Sequence, residues 1–97
     1  MKTTTECLAI LKSYFDNRAR GLGVTRMALF GSVARKEQTA DSDVDVAYEG
    51  APNLLLRIRM KLELEELFGC KVDLIRLRSQ LRDTLLDNNM QKDMLYV

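Results

Sequence analysis

Three short runs of the chain have the apolar spacing that is typical of β-strands. Residues 26–30 are largely apolar, residues 43–49 begin by alternating acidic with apolar side chains, and residues 71–76 are rich in branched apolar side chains. Alternation with a period of two predicts a strand with one buried face, and a short apolar run predicts a buried strand. We therefore predict three strands at these positions.

Further segments have the apolar spacing of helices. The predicted helices cover residues 5 to about 21, 33 to about 37, 52–68 and about 80–88. We expect Thr5 to cap the first helix, Pro52 to stand at the start of the third and Gly69 to end it. The third helix is expected to be chiefly core, through Leu54, Leu55, Ile58, Leu62, Leu64, Leu67 and Phe68.

The elements follow in the order helix, strand, helix, strand, helix, strand, helix, and the apolar tail at residues 94–97 is either a short strand or an interface segment. The short link between the first two strands permits an antiparallel pair, whereas the helix between the second and third strands is compatible with parallel pairing. We predict an α+β fold, a small mixed sheet with helices packed on it. We expect a single domain over residues 1–97.

Composition narrows the classes of function. The 97 residues are 46% hydrophobic and 30% charged, with a formal net charge of +1. This is an ordinary globular mixture, and so small a charge argues against a surface built for direct nucleic-acid binding. No apolar run approaches the length that spans a membrane, and the first residues lack the apolar stretch of a signal peptide. We therefore expect a cytoplasmic protein.

Cysteine and histidine usage excludes further kinds of site. The two cysteines, Cys7 and Cys70, do not suggest a disulfide framework, and the chain has no histidine. Histidine-based acid–base catalysis and histidine-ligated zinc are therefore excluded. Any chemistry must use carboxylates, bound metal, hydroxyls, basic residues or thiols.

Two carboxylates are spaced i, i+2 on the second predicted strand. Side chains alternate along a strand, so Asp43 and Asp45 point to the same face. Like charges side by side repel unless a cation holds them, and oxygen ligands of this kind suit Mg²⁺, which commonly recruits substrate phosphates. The pair predicts a site for a metal-bound nucleoside triphosphate. The alternative is that Asp43 caps a turn and Asp45 is a solvated strand residue.

A glycine–serine turn follows the first predicted strand and opens a helix. Gly31 lets a phosphate approach the backbone, helix N-terminal amides attract anions, and the Ser32 hydroxyl can add a hydrogen bond. Arg35 lies three residues after Ser32 on the same helical face and is a candidate phosphate ligand or partner contact. The alternative is a plain turn with Ser32 as the N-cap and Arg35 as a solvated surface residue.

The pattern G-S-x10-D-x-D is formed by Gly31, Ser32, Asp43 and Asp45. It resembles the nucleotidyltransferases of the DNA polymerase beta superfamily, and residues 29–35 and 42–46 look most like the minimal nucleotidyltransferases. The resemblance runs from about residue 27 to residue 75 and implies the nucleotidyltransferase fold. It also implies that Asp73 is the third carboxylate, and the alternative is that Asp73 is a solvent-facing residue. One departure is Lys36, where many members have glycine.

The resemblance implies an enzyme that uses ATP and two Mg²⁺ ions. The metal ligands and catalytic acids would be Asp43, Asp45 and Asp73. Two such ions can stabilise the attacking and leaving oxygens of a nucleotidyl transfer. Asp73 would either accept the proton of the attacking hydroxyl or serve only as a ligand.

The same resemblance implies an antitoxin whose partner is a helical HEPN ribonuclease toxin. The enzyme would transfer AMP to a tyrosine of that toxin. So short a chain has little material with which to enclose an acceptor, and the toxin would supply the acceptor hydroxyl. Two alternatives stay open, a non-catalytic antitoxin or scaffold that acts by contact, and a nucleotidyltransferase that modifies a small molecule. A homodimer also stays open, because a chain of this length buries only a modest core.

Overall fold

The computed structural model describes residues 3–37, 43–77 and 94–97, and these form a four-stranded sheet in the order β3-β2-β1-β4. The strands are β1 (Arg26–Phe30), β2 (Val44–Glu49), β3 (Val72–Arg76) and β4 (Leu95–Tyr96). β1 pairs antiparallel with both β2 and β4, whereas β2 and β3 are parallel. The predicted mixed sheet is therefore confirmed, and the apolar tail is its edge strand.

Within these ranges the sheet is accompanied by three α-helices. They are α1 (Thr4–Tyr14), α2 (Gly31–Ala34) and α3 (Leu54–Phe68). A π-helical turn and a 3₁₀ turn prolong α1 as far as Gly23, whose left-handed backbone ends it. The helix predicted near residues 80–88 lies outside the described residues. In the part of the chain that the structure describes, every helix is too short or too polar to cross a membrane.

Local sequence determines the ends of the two long helices. The Thr3 hydroxyl accepts a hydrogen bond from the Glu6 amide at 3.1 Å, and the Glu6 carboxylate accepts one from the Thr3 amide at 3.3 Å. This reciprocal capping box begins α1, so the predicted cap at Thr5 is two residues late. Asn53 caps α3, and Gly69, at φ +71°, ends it as predicted.

The main core fills the space between one face of the sheet and the helices α1 and α3. The buried helical side chains are Cys7, Leu11, Tyr14, Met60, Leu64 and Phe68. Every second strand residue points to this face, namely Met27, Leu29, Val44, Val46, Tyr48, Val72 and Leu74.

α3 buries only one of its two apolar stripes. The exposed stripe comprises Leu54, Leu55, Ile58 and Leu62, and Leu67 is also exposed on another side of the helix; these five side chains are 47% to 80% exposed. The prediction that these leucines and the isoleucine form chiefly core is therefore wrong. Residues two apart on a helix lie roughly 200° apart around its axis, so Met60 and Ile58 cannot both face the same sheet.

The opposite face of the sheet carries a smaller apolar cluster. Its buried members are Ala28, Ala47 and Met94. Asp45 precedes Ala47 by two residues on β2, and Asp73 precedes Ile75 by two on β3. Because side chains alternate along a strand, both carboxylates lie on this second face, away from α1 and α3.

Candidate functional site

Strand pairing brings the three candidate carboxylates to one end of the sheet. Asp45 lies opposite Asp73 in the parallel register of β2 and β3, and opposite Phe30 in the antiparallel register of β1 and β2. Asp43 stands immediately before β2. Gly31 follows Phe30, so the glycine turn reaches the same end of the sheet as the carboxylates.

The side chain of Asp45 lies directly against the Gly31 backbone. A Cβ atom on Gly31 would lie 2.9 Å from Cγ and 3.2 Å from Cβ of Asp45. Gly31 also has φ +74°, a left-handed conformation that other residues adopt only with strain. Both space and backbone conformation therefore require glycine at this position.

The carboxylates also interact through their charges. Burial raises the pKa of Asp45, and the negative charges of Asp73 and then Asp43 raise it further. The positive charge of Arg35 lowers that pKa and so opposes the rise. Asp45 is half-buried, whereas Asp43 and Asp73 are exposed. The site concentrates negative charge, and a cation or a proton would relieve the repulsion.

The donor chemistry of this site suits a hard divalent cation, because carboxylate oxygens are the ligands that Mg²⁺ prefers. In the ranges that the structure describes, however, no three acidic or thiol side chains come close enough together to hold a metal ion. The sheet brings the acids to one end, but their side chains do not converge on a common point. Repulsion between like charges favours such separation.

The short helix α2 places Ser32 and Arg35 beside the same turn. The N-cap of α2 is Phe30, so the alternative that Ser32 is the N-cap is wrong. Ser32 is half-buried as the second residue of the helix. Arg35 follows the helix as its C-cap, and its Nε donates a hydrogen bond to the Glu37 carboxylate at 3.1 Å. Its charge still reaches Asp45, as the pKa of that group shows.

The residue after Arg35 has a backbone conformation that favours glycine. Lys36 has φ +63° and is, among the residues described, the sole non-glycine with a positive φ. Its amide donates to the Val33 carbonyl at 3.1 Å, which closes the turn after α2. The departure from the family pattern at this position therefore falls on a strained residue, at a cost of about 1–2 kcal/mol.

A contact that sequence analysis missed joins α2 to α1. Thr4 is buried, and its hydroxyl donates a hydrogen bond to the Val33 carbonyl at 2.5 Å. Thr4 thereby positions the short helix that carries Ser32. The run Thr3-Thr4-Thr5 signals hydroxyls at the start of a helix, but the pattern does not indicate which of them faces inward.

Comparison with known proteins gives consistent likenesses. The family model for the nucleotidyltransferase domain matches residues 7–97. The protein adenylyltransferase MntA of Thermococcus cleftensis is 33% identical over 99 residues, which cover 100% of this chain and 98% of that protein. A structure described as that of a minimal nucleotidyltransferase is 34% identical, with a TM-score of 0.69 over 89% of this chain and 92% of that one.

A toxin–antitoxin structure with AMP-PNP is also similar to this chain. It is 29% identical, with a TM-score of 0.59, over 75% of this chain and 58% of that one.

Proposed function

The chain belongs to the nucleotidyltransferase domain family, and from this membership we propose that it transfers AMP from ATP to a hydroxyl group of a partner protein. The proposed partner is a helical HEPN ribonuclease toxin, the acceptor is a tyrosine of that toxin, and this chain is the antitoxin. The similarity to MntA, a protein adenylyltransferase, supports the transfer of AMP. The similarity to a toxin–antitoxin structure with AMP-PNP supports ATP as the nucleotide and a toxin as the partner.

The observation that carries this proposal is the position of Asp45. Its carboxylate lies against the Gly31 turn, opposite Asp73 and two residues from Asp43. A triphosphate at the Gly31 turn would add further negative charge beside these acids. Only positive charge between the phosphates and the carboxylates makes that arrangement favourable. This electrostatic requirement supports Mg²⁺ as the cofactor.

We assign two Mg²⁺ ions to the carboxylates of Asp43, Asp45 and Asp73. Such ions, when bound, supply positive charge beside the triphosphate. Hydrogen bonds to the phosphates would come from the Gly31 amide, the Ser32 hydroxyl and the Arg35 guanidinium. These three residues are the proposed nucleotide ligands.

The proposed reaction is a displacement at the α-phosphorus of ATP. The acceptor hydroxyl oxygen forms a bond to that phosphorus, the bond to the bridging oxygen of the leaving group breaks, and pyrophosphate departs. The hydroxyl proton must go to a base within hydrogen-bond reach. We assign that role to Asp73, whose exposed side chain is open to an acceptor that arrives from outside the chain.

Intact-mass spectrometry on the purified toxin tests this proposal. The toxin is incubated with this protein, ATP and MgCl₂, and the expected result is a mass increase by one or more adenylyl groups. The Asp43→Asn/Asp45→Asn double variant is expected to abolish the increase. The matched control is Asp16→Asn, which changes an exposed aspartate in the π-helical turn and should leave the increase intact.

A stable complex with the toxin but no adenylyl increment would contradict the catalytic proposal. That result would support a non-catalytic antitoxin acting by contact. If the toxin neither binds nor gains mass while ATP is converted in the presence of a small hydroxylated acceptor, the small-molecule alternative is supported instead.

A further inference from the structure

A pocket lies beside the N-terminal end of α3, and its volume is about 280 Å³. It is lined by Tyr48, Pro52, Asn53, Leu54, Arg57 and Arg76. Tyr48 is three residues beyond Asp45 on β2, which corresponds to about 10 Å along the strand. Its side chain belongs to the main core on the α1 and α3 face, whereas Asp45 lies on the other face. The pocket is therefore distinct from the candidate active site.

The described lining of the pocket carries positive charge. Arg57 and Arg76 contribute two guanidinium groups, and among the described residues no carboxylate lines the pocket. Across residues 3–37, 43–77 and 94–97, neither arginine forms an ion pair. Arg76 donates one hydrogen bond to the Gly50 carbonyl at 3.2 Å, which orients it beside the pocket.

The other polar side chains of the pocket add hydrogen-bond donors. The Asn53 side-chain oxygen accepts from the Leu56 amide at 3.1 Å, and the NH₂ group of this side chain adds two donors. Asn53 caps α3, a helix of 15 residues whose first amides carry partial positive charge. A pocket of donors and cations is matched by an acceptor-only, negatively charged ligand.

Tyr48 gives a second and independent indication of a ligand. Its side chain is only 1% exposed and lines the pocket, and within the described residues its hydroxyl has no hydrogen-bond partner. Leaving a buried hydroxyl without a partner is unfavourable. Burial raises the pKa of Tyr48, and the charges of Arg57 and Arg76 only partly offset that rise, so the hydroxyl is a donor at neutral pH.

We propose that this pocket is a second oxyanion site, which binds a phosphate group through Arg57, Arg76 and the Tyr48 hydroxyl. A dianionic phosphate matches two guanidinium charges, and its oxygens accept from several donors at once. A single carboxylate would compensate only one of the two arginines. The phosphate group comes either from a free inorganic ion or from a small phosphorylated molecule, since both present the same oxygens. This site does not depend on the proposed transferase activity.

An NMR titration of the full chain with inorganic phosphate tests the proposal. The titration is run in EDTA, to remove divalent metal, and at constant ionic strength with chloride as the exchanged anion. We expect saturable shifts of the Tyr48 ring signals and of the amides at the start of α3. A parallel titration with AMP distinguishes the two sources, because tighter binding of AMP would assign the site to a phosphorylated small molecule.

Variants assign the binding to this pocket. Arg57→Gln is expected to weaken phosphate binding about tenfold or more, and Tyr48→Phe, which removes only the hydroxyl, is expected to weaken it about threefold to tenfold. Arg59→Gln is the matched control, because Arg59 is an exposed arginine of the same helix that does not line the pocket. Its affinity for phosphate should be unchanged.

Two results would overturn the proposal. Shifts of equal size in the wild type and in Arg57→Gln would mean that phosphate does not bind through this pocket. Phosphate binding that is retained in Arg57→Gln but lost in Arg35→Gln would locate the anion at the Gly31 turn instead. Arg76→Gln also removes the bond to Gly50 and can affect folding, so the test depends on Arg57→Gln and Tyr48→Phe, each with a circular-dichroism melt.

Discussion

The carboxylate of Asp45 lies against the backbone of Gly31, so closely that a Cβ atom on Gly31 would lie 2.9 Å from Asp45 Cγ. The contact joins the two halves of the G-S-x10-D-x-D pattern in space. The pattern alone predicts a glycine here because a phosphate would approach the backbone. The structure adds a requirement that acts without any nucleotide, since only glycine leaves room for the second aspartate of the pattern.

Gly31→Ala should therefore damage both stability and the candidate site. The new methyl group collides with Asp45 while the backbone is held at φ +74°, so we expect a loss of about 2–4 kcal/mol in the free energy of unfolding. Urea denaturation measures this loss. Gly21→Ala is the matched control, because nothing lies within 4 Å of a Cβ at Gly21, and it should change stability little.

A double-mutant cycle separates the collision from the backbone strain. In an Asp45→Ala background the carboxylate is absent, so Gly31→Ala should cost less, namely the strain of about 1–2 kcal/mol and the remaining 3.2 Å contact with the Cβ of residue 45. An equal cost in both backgrounds would contradict the contact between the two residues.

The burial of Asp45 and its repulsion by the other two acids predict how stability depends on pH. The pKa of Asp45 is raised in the folded protein, so the folded state holds this proton more tightly than the unfolded state does. The resulting stabilisation is fully present below the unfolded pKa of 3.8 and is lost as the pH rises through the folded pKa. At pH 7 the ionised Asp45 therefore destabilises the fold. Asp45→Asn should be more stable than the wild type at pH 7, because the amide carries no charge in this half-buried position.

Urea denaturation of both proteins at pH 7 and at pH 4 tests this dependence. The advantage of Asp45→Asn over the wild type should shrink as the pH falls towards 4, because the wild-type carboxyl becomes protonated. Asp16→Asn, at an exposed position of the π-helical turn, should show no such gain. An advantage that grows on acidification would have the wrong sign for a raised pKa.

The strained backbone at Lys36 predicts a stabilising substitution. Lys36→Gly relieves about 1–2 kcal/mol of strain from the left-handed backbone. Glycine also raises the entropy of the unfolded chain, which costs about 0.5–1 kcal/mol of stability. We expect a net gain of about 0.5–1 kcal/mol, measured by thermal or urea unfolding. The contrasting variant is Lys12→Gly within α1, which should lose about 1 kcal/mol because helical glycine is unfavourable. A loss at both positions would show that Lys36 is not strained in solution.

Local pattern predicted the strands well, because alternation and short apolar runs are local signals. The predicted range 26–30 is the observed β1, and the acid-rich strand is observed within one residue as Val44–Glu49. The contact between Gly31 and Asp45 depends on the register of β1 with β2, which no short stretch of sequence contains. The proximity of Asp73 to Asp45 likewise depends on the parallel pairing of β2 with β3, which are separated in sequence by the whole of α3. Only the family resemblance predicts this proximity.

The buried side of α3 is the feature that is hardest to predict from sequence, because apolar residues occur on both sides of this helix. Leu64 is fully buried, whereas Leu62 is 61% exposed. Leu64→Ala should cost about 2–5 kcal/mol in the free energy of unfolding, because it leaves a cavity in the core. Leu62→Ala should change it by less than about 0.5 kcal/mol.

The pair also tests whether this helix is free of contacts in solution. If Leu62→Ala costs more than about 1 kcal/mol, the outward stripe is buried in the isolated protein. Repeating the unfolding at several protein concentrations then distinguishes the two causes. A wild-type stability that rises with concentration means that a second copy covers α3, since association stabilises by mass action, whereas a constant value means that another part of the same chain does.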